Sequence, residues 1–118
     1  MPLNIAPIRK HSLKGFAEGW DDCYLLVRGV GEARRQEMIT KLGDKTSDDP
    51  EAAETLRAFC IDVITGGIVI STNGDGTTEK VTVTAEDVAD VVDALDFSWR
   101  QEVSATATGA DRLKVMYR

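Results

Sequence analysis

The chain is poor in the residues that build disulfide frameworks and metal centres. Its 118 residues include two cysteines and one histidine, His11. Cys23 and Cys60 stand 37 positions apart and lack the Cys-x-x-Cys spacing that is typical of zinc sites. Both cysteines have apolar neighbours, so we expect buried free thiols. With no serine elbow or Cys-His pairing in the sequence either, we expect no catalytic residues, no cofactor and no metal.

Long apolar runs and an excess of positive charge are also missing. No stretch approaches the roughly 20 apolar residues of a membrane span, and the first residues do not have the pattern of a signal peptide. Lys and Arg total 14 against 20 Asp and Glu, a net charge of −6. This balance argues against nucleic-acid or acidic-membrane partners and favours a cytoplasmic protein.

What the sequence does contain is enough for one folded domain over residues 1–118. Hydrophobic residues make up 42% and charged residues 29%. A chain of this size buries roughly two-thirds of its unfolded surface, so it needs no disulfide or metal to hold a core. Residues 1–10 contain two prolines and predict an N-terminal arm, whereas residues 110–118 predict a tail or a short edge strand.

Residues 23–28 predict a strand, because they are apolar, partly β-branched and followed by Gly29. A strand around residues 10–16 is expected to pair with it through residues 17–22. Gly29-Val30-Gly31 stands between a strand and a helix, as in a dinucleotide-binding loop, but Arg34 occupies the place of the third glycine. We therefore expect a turn with positive φ at these glycines.

The helix signals are stronger than the strand signals. The apolar spacing and the flanking glycines predict helices over residues 32–42, 50–65, 85–95 and 97–108. Asp49, Thr84 with Asp87, and Asp96 are expected to cap the last three, while Gly66-Gly67 and Gly109 end the second and fourth. Their apolar faces predict a set of buried residues: Leu56, Phe59, Val63, Val88, Val91 and Leu95.

Between the second and third helices, Asn73-Gly74-Asp75-Gly76 predicts a β-hairpin. A two-residue turn at Asp75-Gly76 puts Ile70 opposite Val81, and this register gathers apolar residues on one face. The same segment resembles a calcium loop, but its twelfth position is Thr82 in place of glutamate, so we expect no calcium.

The order of these elements contains no repeated strand–helix–strand unit. It predicts an α+β fold, in which a small antiparallel sheet or hairpins pack on three to four α-helices. The aromatic residues exceed what a lean core requires, and this surplus consists of Trp20, Tyr24, Phe59, Phe97 and Trp99. An exposed aromatic cluster would form a partner-binding surface. The residues predicted for such a surface are Phe16, Trp20, Tyr24, Phe97 and Trp99. The alternative is that all of them belong to the core.

The layout resembles a known family. Leu13-Lys14-Gly15-Phe16 and Trp20 precede a strand that ends at Val27-Arg28, and a Glu/Arg-rich helix, a polar loop and an apolar helix running into Gly-Gly follow. This arrangement, over about residues 12–108, resembles the small tail assembly chaperones that long-tailed bacteriophages encode just upstream of the tape measure. The resemblance implies a non-enzymatic protein that binds the tape-measure protein and tail-tube subunits and can self-associate into homo-oligomers.

Other functions stay open at this stage. One is a minor structural tail protein that is retained in the virion, and another is a small antitoxin or adaptor module. A third is a small enzyme with an unrecognised site, which a pocket lined by polar side chains would support. A long helical-repeat gene immediately downstream would favour the tail assembly hypothesis.

Overall fold

A four-stranded antiparallel sheet with helices on one face forms the framework of the chain. The computed structural model describes residues 7–42 and 49–109. The strands are β1 (Ile8–Ser12), β2 (Tyr24–Arg28), β3 (Ile64–Thr72) and β4 (Thr78–Thr82), and they lie in the order β1-β2-β3-β4. The helices are α1 (Glu32–Leu42), α2 (Pro50–Val63), α3 (Val88–Ala94) and α4 (Phe97–Thr108). The predicted α+β fold is confirmed.

The sheet starts earlier than the sequence predicts. β1 begins at Ile8, within the predicted arm of residues 1–10, because Ile8 pairs with Arg28 and the Gly29 amide donates to the Pro7 carbonyl at 2.8 Å. The strand predicted around residues 10–16 therefore ends at Ser12. Residues 1–6 and the predicted tail or edge strand of residues 110–118 lie outside the described residues.

The turn after β2 also differs from the prediction. Neither Gly29 nor Gly31 has a positive φ. Gly29 instead lies against the Pro7 ring, where an added Cβ would come within 3.2 Å of the proline Cγ. With an entirely antiparallel sheet, the strand–helix–strand frame of a dinucleotide loop is not formed by the described residues.

Helix α2 ends at Val63 rather than at residue 65. Ile64 is already extended and pairs with Val27, so the β-branched Ile64 and Thr65 continue directly into β3. Gly66 and Gly67 therefore lie inside β3 and do not end the helix. At the other end the prediction is confirmed, since the Asp49 carboxylate accepts hydrogen bonds from the amides of residues 51 and 52.

The caps predicted for the last two helices are also present. Asp87 accepts from the Thr84 amide at 3.0 Å, although residues 85–87 form a 3-10 turn before α3 begins. Asp96 accepts from the Trp99 amide at 2.9 Å, and α4 ends at Gly109 as expected.

The hairpin register is shifted by one residue from the prediction. Val69 lies opposite Val81, and Ile70 lies opposite Lys80. The cause is a three-residue loop: Asn73 donates its amide to the Thr77 carbonyl at 2.7 Å, and Gly76 has a φ of 88°. A type I turn followed by one left-handed residue has this geometry, whereas the prediction assumed a two-residue turn.

The core lies between the sheet and the helices. Leu25 and Val27 point from β2 toward the helices and are fully buried. Five of the six predicted core residues are buried against them, and the exception is Val91, which is only half-buried. None of the described helices has the length and apolar character that a membrane crossing requires.

Candidate functional site

An apolar groove lies where the hairpin, α3 and the loop after β1 meet. Its volume is about 260 Å³. We call it the α3 groove. Its main apolar lining residues are Leu13, Phe16, Trp20, Val69, Val81 and Val91.

The α3 groove exists because a short helix covers a long hairpin. α3 has seven residues and spans about 10 Å, while the nine residues of β3 span about 30 Å. The helix therefore buries only part of the apolar hairpin surface. Val69, Val81 and Val91 stay half-buried, although Val92, the next residue of α3, is fully buried.

Aromatic rings form one wall of the groove. Phe16 and Trp20 stack with their ring centroids 4.7 Å apart, and the Trp99 ring lies 5.6 Å from Phe16. Successive turns hold this loop in place, because Phe16 donates its amide to the Leu13 carbonyl and Trp20 donates to the Ala17 carbonyl. The three rings are half-buried. Phe16 and Trp20 line the groove and give it a preformed apolar wall of the kind that binds partner side chains, whereas Trp99 packs on Phe16 outside the lining.

The structure thus brings together three of the five predicted aromatic residues. Phe97 begins α4 and packs, half-buried, against the core. Tyr24 lies on the opposite face of the sheet, because its neighbour Leu25 points to the helices and side chains alternate along a strand. The Lys10 ammonium stands 4.3 Å above the Tyr24 ring. Tyr24 therefore does not line the groove.

Two carboxylates from the α3 side line the same groove. Asp87 accepts hydrogen bonds from the amide and the hydroxyl of Thr84, and these bonds lower its pKa. Asp90 follows one turn later and is exposed. No Lys or Arg is among the described residues that line the groove. The groove is therefore apolar inside and negatively charged along α3.

The two thiols lie outside the groove and are buried, as predicted. Burial raises the pKa of Cys60 to about 12, and its Sγ donates to the Arg100 carbonyl at 3.4 Å. Burial also raises the pKa of Cys23. Thiols held in the protonated form are poor nucleophiles and metal ligands.

The described residues do not form a metal site either. Within residues 7–42 and 49–109, no three His, Cys, Asp or Glu side chains are grouped so that they could hold a metal ion. The polar groups that line the α3 groove are the Ser71 hydroxyl and the carboxylates of Asp87 and Asp90.

The groove includes residues that sequence reasoning assigned elsewhere. Val91 was expected in the core, and Val81 was expected opposite Ile70. The signal in the sequence is the three valines of this segment, which are poor helix formers, whereas the seven-residue length of α3 is known only from the structure.

Comparisons with protein families, with curated proteins and with solved structures give no match for this chain.

Proposed function

We propose that this chain is a non-enzymatic binding protein that holds an apolar segment of a partner in the α3 groove. The observation that carries the proposal is the half-buried apolar lining, in which stacked aromatic rings face the valines of β3, β4 and α3. A protein keeps such a surface at a cost in solubility, so contiguous apolar grooves mark binding sites.

The resemblance to tail assembly chaperones names the first partner to test. On this hypothesis the client is the tape-measure protein, tail-tube subunits are recruited as well, and the site of action is the host cytoplasm. A net charge of −6 supports a chaperone role, because mutual repulsion keeps a protein with an apolar groove dispersed.

Binding is favoured over catalysis by the chemistry of the lining. An enzyme groove needs a nucleophile or a proton donor and acceptor in separated environments. Here the two carboxylates lie one turn apart on the same helical segment, and the thiols are buried elsewhere. Trp20 supplies what a binding site needs, since tryptophan is enriched among the residues that dominate binding energy.

The test is co-expression with the tape-measure protein encoded downstream, followed by pull-down. Trp20→Ala should weaken binding by more than about 1–2 kcal/mol and leave the protein folded. Tyr24→Ala is the matched control, because this half-buried aromatic residue lies on the opposite face of the sheet. Complex formation should persist at high salt, which screens exposed charge pairs and leaves apolar contacts.

Two results would contradict the proposal. One is an equal loss of binding in both variants, which would separate binding from the groove. The other is an absence of binding to any tail protein together with turnover of a small metabolite, which would favour an enzyme.

A further inference from the structure

The charge pattern of the α3 groove points to the chemistry of its client, and this step rests on the proposed function. We infer that the segment bound in the groove is amphipathic and basic, with apolar side chains against the rings and valines and a Lys or Arg beside Asp87 and Asp90.

The first observation is that the carboxylates of Asp87 and Asp90 have oxygen atoms that can accept further hydrogen bonds. Both bonds from Thr84 go to Oδ2 of Asp87, and Oδ1 accepts none from the described residues. The Asp90 carboxylate forms no hydrogen bond or ion pair with the part of the chain that the structure describes. Residues three apart on a helical turn are neighbours, so the two carboxylates form one acidic position.

The second observation is a contrast within the same helix. Asp93 lies outside the groove lining and is fully paired: Arg57 donates from Nε at 2.6 Å and from Nη2 at 3.1 Å. The hairpin's Lys80 lies 3.7 Å from Asp22 and does not line the groove. The chain therefore pairs the α3 carboxylate outside the groove and leaves those inside it without a cation among the described residues.

The missing cation beside Asp87 and Asp90 affects the binding energy once a client segment covers the groove. When an apolar segment occupies the groove, water is displaced from around Asp87 and Asp90, and an unpaired charge beside apolar surface is unfavourable. A Lys or Arg on the client removes that penalty. An acidic client adds repulsion to it, so the same two carboxylates select against acidic segments.

The experiment uses the intact chain and three synthetic amphipathic peptides with identical leucine positions. Their polar positions carry Lys, Gln or Glu, and affinity is measured by calorimetry at low and high salt. We expect the Lys peptide to bind most tightly and the Glu peptide least. At high salt the three affinities should converge, while the loss caused by Trp20→Ala remains.

Variants of α3 test the position of the charge. Asp90→Asn should lower the affinity for the Lys peptide about two- to fivefold and leave the affinity for the Gln peptide unchanged. Asp90→Lys should reverse the preference, so that the Glu peptide binds more tightly than the Lys peptide. Asp93→Asn is the matched control and should not alter the order of the peptides. Thermal unfolding of each variant verifies that α3 is intact.

The outcomes separate this inference from the proposed function. If the three peptides bind equally, and Trp20→Ala weakens all of them, the groove is a client site but the charge inference is wrong. Binding of the Glu peptide as tight as that of the Lys peptide at low salt, or a preference that Asp90→Lys does not reverse, also overturns it. If Trp20→Ala changes the binding of none of the peptides and of no tail protein, the proposed function fails as well.

Discussion

The two halves of the sheet, β1 with β2 and β3 with β4, are covered by helices to different extents. Over β1 and β2, the twelve-residue α4 contacts both strands, and Leu25 and Val27 are completely buried. Over β3 and β4, the seven-residue α3 leaves Val69 and Val81 half-buried. The half under the longer helix is therefore core, whereas the half under the shorter helix keeps part of its apolar surface exposed.

The largest effect that tests this comparison is expected in the core. Phe59 is fully buried in α2, so Phe59→Ala should lower the free energy of unfolding by about 3–5 kcal/mol. Val91→Ala removes half-buried methyl groups from the groove and should cost about 1 kcal/mol or less. Denaturant unfolding measures both, and equal losses would show that α3 packs as core.

The next effect concerns β3, which links the two halves. Gly67 has a φ of 139°, and an added Cβ would come within 2.3 Å of the Tyr24 carbonyl oxygen. Gly67→Ala should therefore destabilise the fold by about 1–3 kcal/mol. At Gly66 an added Cβ meets atoms only at ordinary contact distances, so Gly66→Ala is the matched control. A similar loss at both glycines would contradict the register of β3 against β2.

A smaller effect is expected at the start of α4, the helix that covers the closed half. Asp96 caps α4 through the Trp99 amide, so Asp96→Ala should cost about 0.5–2 kcal/mol. Glu102→Ala, an exposed change in the same helix, should be nearly neutral. Thermal unfolding distinguishes them, and an unchanged melting temperature in Asp96→Ala would show that the cap does not hold the helix.

The smallest effect is a pH dependence of the free energy of unfolding, which arises from the ion pair between Arg57 in α2 and Asp93 in α3. The Arg57 guanidinium lowers the pKa of Asp93, so this contribution to stability is present above the carboxyl's ordinary pKa of 3.8 and is lost as the pH falls through the lowered value. Asp93→Asn should therefore show a shallower loss of stability below about pH 4 than the parent chain. Parallel acid unfolding curves for the two proteins would contradict the pairing.

Much of the fold follows from local signals in the sequence. Asp49, Asp96 and Gly109 mark helix ends through their own side chains or backbone, and the structure confirms them. The sequence predictions are wrong where the structure of a segment depends on its pairing with another strand or on the length of a loop. Ile64 leaves the helix because β2 pairs with it, and the hairpin register depends on a three-residue loop whose glycines also fit a two-residue turn.

The groove was harder to predict than the fold. Three of the five predicted aromatic residues meet, but the alternation of β2 sends Tyr24 to the other face of the sheet. Periodicity placed Val91 on an apolar face and could not show that the helix is too short to bury it. Coverage of one element by another is a tertiary property, so the exposed lining appears only in the assembled structure.

The central claim is that a client occupies the α3 groove, and methyl NMR tests it most directly. With labelled valine and leucine methyl groups, addition of the client should shift the signals of Val69, Val81 and Val91. The signals of Leu26, on the opposite face of the sheet, and of the buried Val103 should stay in place. Shifts at Leu26 without any at Val81 and Val91 would contradict the account.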